Sequence, residues 1–348
     1  MVTTPTDARV RVLTKVSAGA TLLLVFIGSL VTSTGSGLAV PDWPLSYGML
    51  FPPMVGGILY EHGHRMAAAA VGLLVVIQAV VVSWRERRRW VRVLAWLALV
   101  VILIQGGLGG LTVLLLLPTP VSMTHAVLAQ TLLLLLVFIA YAESREWAGR
   151  HTAAQAPAPR DRSEPSPRSR AVYAAAIALI ATVYLQLLLG ALMRHTESGI
   201  AIPDFPLMGG QLVPLFNDRM LAHVNAHRFE LLLEPVTRAQ MVIHFLHRLG
   251  AAGVGVAVVA ANRAVYRSGA FPEARSLLKW INTATVVQAL LGVLTVLTAR
   301  SPALASFHVL LGAALLAVTL LFLLRCMPLP ARALSEHGQP AAAPGTAP

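Results

Sequence analysis

Hydrophobic residues in this chain fall into eight long runs, separated by short polar segments and by two longer loops. A helix that crosses about 30 Å of hydrocarbon needs about 20 apolar residues, and each run is long enough to do so. The runs cover approximately residues 13–34, 63–83, 92–117, 121–142, 172–194, 240–262, 277–298 and 303–325. We therefore predict eight transmembrane helices. The first run lacks a small-residue cleavage site, so we expect a membrane helix there and not a cleaved signal peptide.

The composition agrees with a membrane protein and narrows the possible chemistry. Of the 348 residues, 56% are hydrophobic and 12% are charged, and the mean hydropathy is +0.71. The net charge of +12 does not indicate nucleic-acid binding, because the basic residues lie between the apolar runs and form no basic stripe. Cys326 is the single cysteine, which excludes an intrachain disulfide and a cysteine-based zinc or iron–sulfur site.

The distribution of lysine and arginine predicts the orientation in the membrane. The N-terminus, the loops 84–92, 143–171 and 263–279, and the C-terminal tail together hold 20 of the 27 basic residues. By the positive-inside rule, both termini are cytoplasmic. The long loops 35–62 and 195–239 then lie on the outer side of the cell membrane.

The chain also repeats itself. The stretch TGSGLAVPDWP at residues 34–44 returns as TESGIAIPDFP at residues 196–206, and further matches follow each copy. We therefore predict an all-α membrane protein of two duplicated four-helix bundles, residues 1–142 and 172–325, with a pseudo-two-fold axis along the membrane normal. Two other segments are polar or rich in proline and alanine. They are a cytoplasmic linker at 143–171, which we expect to be disordered over 151–170, and a disordered tail at 326–348.

Four histidines lie within or at the ends of the apolar runs, where ionisable groups are costly and usually functional. His64 and His125 are 61 residues apart, and so are His247 and His308. In each half one histidine is predicted to open the second helix, and the other lies in the first turns of the fourth. Two neutral imidazoles that face each other across a bundle suit the axial positions of a haem iron. The alternatives are polar contacts between helices and a proton relay, whereas zinc would need further ligands.

The two halves differ beside the first histidine. The first half reads EHGHR and the second reads HFLHR, so Glu61 aligns with His244. Glu61 and His64 are at positions i and i+3, on one face of a helix. A carboxylate beside a haem ligand in one half only suggests that this half carries out chemistry. The alternative is a structural acid, either paired with Arg65 or placed at a helix N-terminus, where the helix dipole favours it.

Other polar residues receive weaker predictions. Arg65 and Arg248 have forked donors that suit haem propionates, although arginine at a membrane edge also extends to the interface without a ligand. Gln105 and Gln288 repeat in mid-helix and are expected to tie helices together. His62, His223 and His227 are expected on the surface, and a weak metal site is the alternative for the pair His223 and His227. His151 and His337 are expected in disordered segments.

Each copy of the repeated loop is predicted to fold over one bundle. Its glycines allow a tight exit from the preceding helix and its prolines stiffen the chain. Asp42 and Asp204 are expected to fix the turn rather than do chemistry. Trp43 and Phe205 suit the membrane edge.

Five of these stretches together resemble the haem A synthase family: TGSGLAVPDWPLSYG, EHGHR, THAVLAQ, HFLHR and SFHVLLG. The resemblance covers residues 13–325. It implies two four-helix bundles, one for each haem. It also implies a reaction in which the C8 methyl group of haem O is oxidised to a formyl group, which gives haem A for terminal oxidases.

The same resemblance implies a role for each candidate residue. His64 and His125 would hold the substrate haem O, and Glu61 would be the catalytic carboxylate. His247 and His308 would hold a haem b that relays electrons. Some members of the family carry a cysteine pair in the first outer loop, and residues 35–62 contain none, so a mechanism through such a pair cannot operate here.

The predicted partners are haem O, the farnesyltransferase that makes it, membrane lipid and an electron acceptor such as a quinone, but no nucleic acid. Two other functions stay open. A b-type dihaem electron-transfer protein would use the same four histidines without Glu61. A duplicated transporter would use the histidines to relay protons and would bind no haem.

Overall fold

The computed structural model describes residues 7–155, 167–269 and 271–328. Over these ranges the regular structure consists of ten α-helices, with two isolated β-bridges in the loops. The helices are α1 (Ala8–Ser33), α2 (Gly56–Arg85), α3 (Arg89–Leu114), α4 (Thr119–Ala142), α5 (Arg145–Gln155), α6 (Pro167–His195), α7 (Asp218–Glu230), α8 (Arg238–Ser268), α9 (Pro272–Leu297) and α10 (Pro302–Cys326). Within the described ranges, eight of them are long and apolar enough to cross a membrane, which confirms the predicted number.

Each spanning helix begins before the apolar run that predicted it. The run 63–83 lies inside α2, which begins at Gly56 after Val55 in an extended conformation. The polar stretch EHGH lowers the local hydropathy, so the pattern places the start of this helix too late. His64 therefore lies in the third turn of α2, and His247 lies in the third turn of α8. The prediction that each of them opens its helix is wrong.

The spanning helices pack as two groups. Helices α1 to α4 surround a core that includes Val75 and Leu136, and α6, α8, α9 and α10 surround a core that includes Leu179 and Leu316. The groups meet where α10 contacts α1 and α4, and where α4 contacts α6. Large apolar side chains on the outside stay exposed, as Trp280 does, which suits contact with lipid.

Part of the predicted linker is helical. Residues 151–155, at the end of α5, and residues 167–170, at the start of α6, contradict the expectation of disorder over 151–170. Helix α5 includes His151, whose ring stacks on Trp147 at a centroid distance of 4.2 Å. Trp147 is buried and meets Tyr141 edge-on at 5.7 Å. This aromatic packing gives the segment an apolar anchor that its polar composition hides. Residues 156–166, and the tail from 329 with His337, lie outside the described residues.

Charged groups fix α5 to the end of α10. Glu146 accepts hydrogen bonds from Nε and a terminal nitrogen of Arg325, both at 2.6 Å, which is the strong bidentate arrangement. Arg150 donates to the carbonyl groups of Leu324 at 2.6 Å and Met327 at 2.9 Å. Because α5 follows α4 directly, these bonds join the first group of helices to the second.

Helix α7 is an insertion in the second long loop. Asn217 caps it by accepting a hydrogen bond from the backbone of Met220 at 2.9 Å. Met220 and Val224 pack with Ile202 in a small buried cluster. The insertion therefore covers the second loop, and the first loop has no counterpart to it in sequence.

Arg88 joins three helix ends at the end of the molecule opposite the long loops. It donates to Glu86 and Glu143, both at 2.8 Å, and to the carbonyl group of Ala142, also at 2.8 Å. Burial and a hydrogen bond with Glu86 raise the pKa of Glu143 to about 8. Burial alone would raise the pKa of Glu86 too, but the hydrogen bonds from Arg88 lower it to about 2. The two carboxyl groups therefore share one proton near neutral pH.

The substitution Glu143→Gln is expected to stabilise the protein increasingly as the pH rises. The folded-state pKa of Glu143 lies above its ordinary value of 4.5, so ionisation costs folding free energy as the pH rises through this window, and glutamine avoids that cost. The difference in unfolding temperature between the variant and the unchanged protein in detergent should grow from about pH 4.5 and level off above about pH 8. Glu230→Gln, at an exposed position, is the control. A flat difference for Glu143→Gln would contradict the shared proton.

Candidate functional site

The four predicted histidines lie on α2, α4, α8 and α10, two or three turns from the end of the molecule that carries the long loops, here called the loop end. Each imidazole lies against a glycine of a neighbouring helix. A Cβ atom at that glycine would contact Cε1 of the ring. The distances are 2.9 Å for Gly28 with His64, 3.3 Å for Gly109 with His125, 3.3 Å for Gly190 with His247 and 3.1 Å for Gly292 with His308. Glycine at these positions lets each ring approach the helix backbone.

The histidines of the second group face each other at a distance that suits a metal. The ring centroids of His247 and His308 are 6.4 Å apart and the rings are inclined at 65°. A bond from a metal to an imidazole nitrogen is about 2 Å long, so one ion fits between the two rings. The pair therefore fits the axial ligation of a haem iron.

The histidines of the first group form the corresponding pair. His64 and His125 are close enough to interact electrostatically. Nδ1 of each ring is buried without a hydrogen-bond partner among the described residues. A buried imidazole nitrogen without a partner is costly, so the protein's own groups leave this pair incompletely hydrogen-bonded.

Two glutamines hold the histidines of the fourth helices, as predicted. Nε2 of Gln105 donates to the carbonyl group of His125 at 2.8 Å, and Nε2 of Gln288 donates to that of His308 at 2.9 Å. Nδ1 of His308 lies 3.2 Å from the carbonyl oxygen of Gln288. With the proton on Nδ1, the unprotonated nitrogen that can bind a metal is Nε2, which lies 3.4 Å from Nε2 of Gln288.

A third glutamine acts in the second group only. Nε2 of Gln186 lies 3.2 Å and 3.3 Å from the two ring nitrogens of His247, and it donates to the carbonyl group of His247 at 2.9 Å. Gly250 makes room for this side chain, because a Cβ atom there would collide with Oε1 of Gln186. The first half has Leu24 and Ala67 at the two aligned positions. His247 is therefore held more firmly than His64.

Arg65 holds the first long loop over its helices. One terminal nitrogen donates to the carbonyl groups of Asp42 at 2.7 Å and Leu45 at 2.8 Å. The carboxylate of Asp42 accepts hydrogen bonds from the backbone of Gly48 at 2.9 Å and Tyr47 at 2.7 Å. The bond from Gly48, followed by that from Tyr47, lowers the pKa of Asp42. The predicted role of Asp42 in fixing the turn is confirmed.

Arg248 holds the second long loop in the same way. It donates to the carbonyl groups of Asp204 at 2.9 Å and Leu207 at 3.1 Å. Asp204 accepts from the backbone of Gly209 at 2.8 Å and Gly210 at 2.9 Å. The predicted turn is again confirmed. The described donors of both arginines thus serve the loops, and their binding to haem carboxylates stays a prediction.

Glu61 is buried, with 4% of its surface exposed, and both of its oxygens are bonded. Oε2 accepts from the backbone of Val40 at 2.8 Å, and Oε1 accepts from Arg65 at 2.6 Å. The ion pair with Arg65 is the structural alternative that the sequence left open. Glu61 therefore fixes the loop, whatever chemistry it also performs.

His244 makes the equivalent contacts in the second group. Its Nδ1 accepts from the backbone of Ile202 at 3.2 Å, and its Nε2 lies 3.1 Å from Nε of Arg248. Ile202 aligns with Val40, so the loop is fixed at the same point in both halves. The difference between Glu61 and His244 is thus one of charge and not of architecture.

The aromatic residues of the two loops are partly exposed, and their position at the membrane edge stays a prediction. Trp43 is 42% exposed and packs on α3, where a Cβ atom at Gly110 would lie 2.7 Å from its ring. Phe205 is 46% exposed, and the guanidinium group of Arg248 lies 5.8 Å from its ring centroid.

The remaining histidines divide into buried and exposed ones. His62 is buried, with Nδ1 2.7 Å from the hydroxyl group of Ser46, so its assignment to the surface is wrong. The reason is that the first long loop folds back over the start of α2. His223 is exposed and His227 is partly exposed beside Asp204 and Glu230. Among the residues that the structure describes, no three potential metal ligands come together there or elsewhere.

The sequence analysis predicted no role for three polar residues at the loop end, which are Arg194, His195 and Arg300. The carbonyl group of His195 accepts a hydrogen bond from Thr119 at 3.1 Å, and its ring interacts electrostatically with His125 of the other group. A comparison of the two sequence repeats could have identified these three residues, because the first half has uncharged residues at the aligned positions.

The fold and the site define a multi-pass helical membrane protein with two pairs of histidines suited to haem. The sequence profile of the cytochrome oxidase assembly protein family matches residues 57–320. The chain is 29% identical to the haem A synthase of Caulobacter sp. (strain K31) over 337 residues, which cover 85% of this chain and 89% of that protein. It is 28% identical to the haem A synthase of Sphingopyxis alaskensis over 331 residues, or 86% of each chain. The chain therefore belongs to the cytochrome oxidase assembly protein family, which includes the haem A synthases.

The close contact between Gly28 and His64 predicts a position-specific effect of one methyl group. Gly28→Ala would place Cβ 2.9 Å from Cε1 of His64, so either the ring or the helix must move. We expect a loss of about 1–3 kcal/mol in the free energy of unfolding in detergent. Gly19→Ala on the same helix is the matched control, because nothing lies within 4 Å of a Cβ atom there. That substitution should be neutral or stabilising by up to about 1 kcal/mol. Equal effects at both positions would show that the ring contact does not constrain the helices.

Proposed function

We propose that this protein is a haem A synthase that oxidises the C8 methyl group of haem O to a formyl group for terminal oxidases. The observation that carries the proposal is the pair Glu61 and His244, which make matching contacts in two matching sites and differ in charge. Family membership supports haem biosynthesis and oxidase assembly. The formyl product requires removal of four electrons and addition of one oxygen atom, which calls for a redox cofactor and a group that handles protons.

The two groups of helices are proposed to be duplicated halves, related by a two-fold axis along the membrane normal. If α1, α2, α3 and α4 correspond to α6, α8, α9 and α10, the contact of α1 with α10 becomes that of α6 with α4. Both contacts are present. The two-fold rotation exchanges α4 and α10, so the contact between these two helices is unchanged by it, and this contact is present as well. The basic residues favour cytoplasmic termini and an outer loop end.

Each half is proposed to hold one haem. His64 and His125 would bind the substrate haem O, and His247 and His308 would bind a resident haem b. When bound, haem b supplies one-electron transfer. Gln186 and Gln288 orient the ligands of the second pair, as is usual for metal-binding imidazoles. The firmer support of the second pair is what a resident haem requires.

Glu61 is proposed as the carboxylate that assists methyl oxidation. It lies one turn from His64 on the same face of α2, and its burial strengthens the effect of its charge. Positive charge that develops at the methyl carbon would be stabilised by this carboxylate, or a water molecule that attacks there would lose a proton to it. His244 cannot supply a negative charge, so the second half lacks this capacity.

A dihaem electron-transfer protein is the second candidate. The ion pair of Glu61 with Arg65 and its bond to Val40 favour it, because they give Glu61 a structural purpose without catalysis. The two candidates differ in whether haem O is oxidised, and only the first gives the carboxylate of Glu61 a chemical role.

Haem A output from the unchanged protein separates these candidates, and replacement of Glu61 tests whether this carboxylate takes part in the oxidation. Glu61→His reproduces the arrangement of His244, and Glu61→Gln keeps an acceptor for the backbone of Val40. Both variants should keep the loop in place and retain both haems. In a host that makes haem O, they should lower haem A output by about 100-fold or more, in line with the loss of a general base. Extraction of haems and their separation by chromatography measures the ratio of haem A to haem O.

Two controls make this result specific. Glu230→Gln, which changes an exposed acid, should leave haem A output unchanged. His244→Glu should also leave it near normal, because the second half does no methyl chemistry. Normal output from Glu61→His together with normal haem content would reject the catalytic role of Glu61. No haem A output from the unchanged protein, with haem bound, would favour the electron-transfer candidate.

The pigment of the purified protein tests the two haem sites. We expect haem b together with haem O or haem A. His247→Ala should remove haem b, and His64→Ala should remove haem O and haem A. Absence of haem absorption in the unchanged protein would reject both candidates and favour the transporter, whereas loss of haem O from His247→Ala would show that the two halves have exchanged roles.

A further inference from the structure

The loop end of the second group carries two cations that form no ion pair with any described residue. Arg194 at the end of α6 and Arg300 in the turn between α9 and α10 are half-buried. Among the described residues, neither guanidinium group donates a hydrogen bond or forms an ion pair. The two groups repel each other, and Glu197, the carboxylate whose charge reaches Arg194, is exposed.

The position of Arg194 relates it to the histidine pair. Gly190 of α6 faces His247, with 3.3 Å between its Cβ position and the ring. Arg194 follows four residues later, on the same face of the helix and one turn nearer the loop end. Its side chain therefore leaves α6 above the gap between His247 and His308.

Arg300 reaches the same region from α9. Gly292 of this helix faces His308 at 3.1 Å, and the helix ends at Leu297. Arg300 lies in the turn that follows, with a φ of 69°, and its electrostatic contact with Arg194 shows that the two side chains approach each other.

The first group has the same turn but fills it differently. Leu117 aligns with Arg300 and has a similar φ of 59°. Its side chain packs on Gly37, where a Cβ atom would lie 3.3 Å from it. The aligned glycine of the second loop, Gly199, has nothing within 4 Å. The side chain of Leu117 thus packs against the first long loop, whereas the side chain of Arg300 does not pack against the equivalent glycine of the second long loop.

The counterpart of Arg194 is also uncharged. Thr32 occupies the aligned position and donates to the carbonyl group of Ser29 at 3.0 Å, within its own helix. The first group therefore has no cation at either position. Two repelling cations occur only above the second histidine pair.

Such a pair of cations is the signature of a site for an anion with two negative charges. Half-buried charges without partners are costly, and a bound dianion would compensate that cost. The guanidinium fork matches a carboxylate, and a haem presents two carboxylates at one edge. The donors of Arg248 are already bonded to loop carbonyl groups, so Arg248 does not compete for this role.

We propose that Arg194 and Arg300 clamp the two carboxylates of the haem held by His247 and His308, and that the absence of this clamp leaves the haem of the first half exchangeable. The proposal rests on the proposed function, which places a resident haem in the second half and a substrate in the first. A substrate must leave after oxidation, whereas a resident electron carrier must stay. The difference between the two loop ends supplies that distinction.

The clamp is tested by giving the second half the residues of the first. Arg194→Thr combined with Arg300→Leu should lose haem b to excess apomyoglobin at least about tenfold faster than the unchanged protein, because bonds to charged groups are removed. The loss is followed by absorption spectroscopy. Arg219→Gln, an exposed arginine at the same end, is the control for net charge and should leave the rate unchanged. Equal rates for the double variant and the unchanged protein would overturn the clamp.

A second measurement uses the unchanged protein, so it does not depend on the folding of a variant. The protein is produced in a host that cannot make haem and is then supplied with haem b or with its dimethyl ester, in which both carboxylates are blocked. The ester should leave at least about tenfold faster. Equal retention of the two haems would reject the clamp but keep the proposed function, whereas failure to bind either haem would reject the proposed function.

Discussion

An imidazole placed in hydrocarbon must replace its lost water with a hydrogen bond or a metal, and this requirement organises the centre of both groups of helices. Four glycines let the rings approach neighbouring backbones, and three glutamines bond to the histidines or their carbonyl groups. Nitrogen atoms without protein partners remain in the first pair. These contacts support the proposal that the histidines form two ligand sites.

The two long loops are also held in place by hydrogen bonds of buried polar groups. An arginine bonded to loop carbonyl groups and an acceptor for one backbone nitrogen are found in each half. The architecture tolerates either a carboxylate or an imidazole as that acceptor. Because the loop is fixed in both cases, the negative charge of Glu61 is not needed for folding in this form. A buried charge that folding does not require supports the catalytic role proposed for Glu61.

The sequence predicts much of this structure because hydrophobic length and internal repetition are strong signals. Eight spans, the turns at Asp42 and Asp204, and the contacts of Gln105 and Gln288 all follow from them. Helix α5 was missed because its anchor is one tryptophan in a polar segment. His62 was misplaced because its burial depends on a loop that folds back. The roles of Gln186 and Gly250 were not predicted, because the side chain of Gln186 needs the space that Gly250 leaves. Hydrophobic periodicity does not reveal such a pair.

The surroundings of the two histidine pairs differ more in charge than in geometry. Around the first histidine pair, Glu61 and Arg65 neutralise each other. Around the second pair, His244 is an uncharged counterpart of Glu61, and Arg194 and Arg300 add positive charge at the loop end. Positive surroundings favour the form of a haem that carries one more electron. Under the proposed function, electrons from methyl oxidation in the first half would therefore move toward the second, and the same cations would both retain its haem and make it the acceptor.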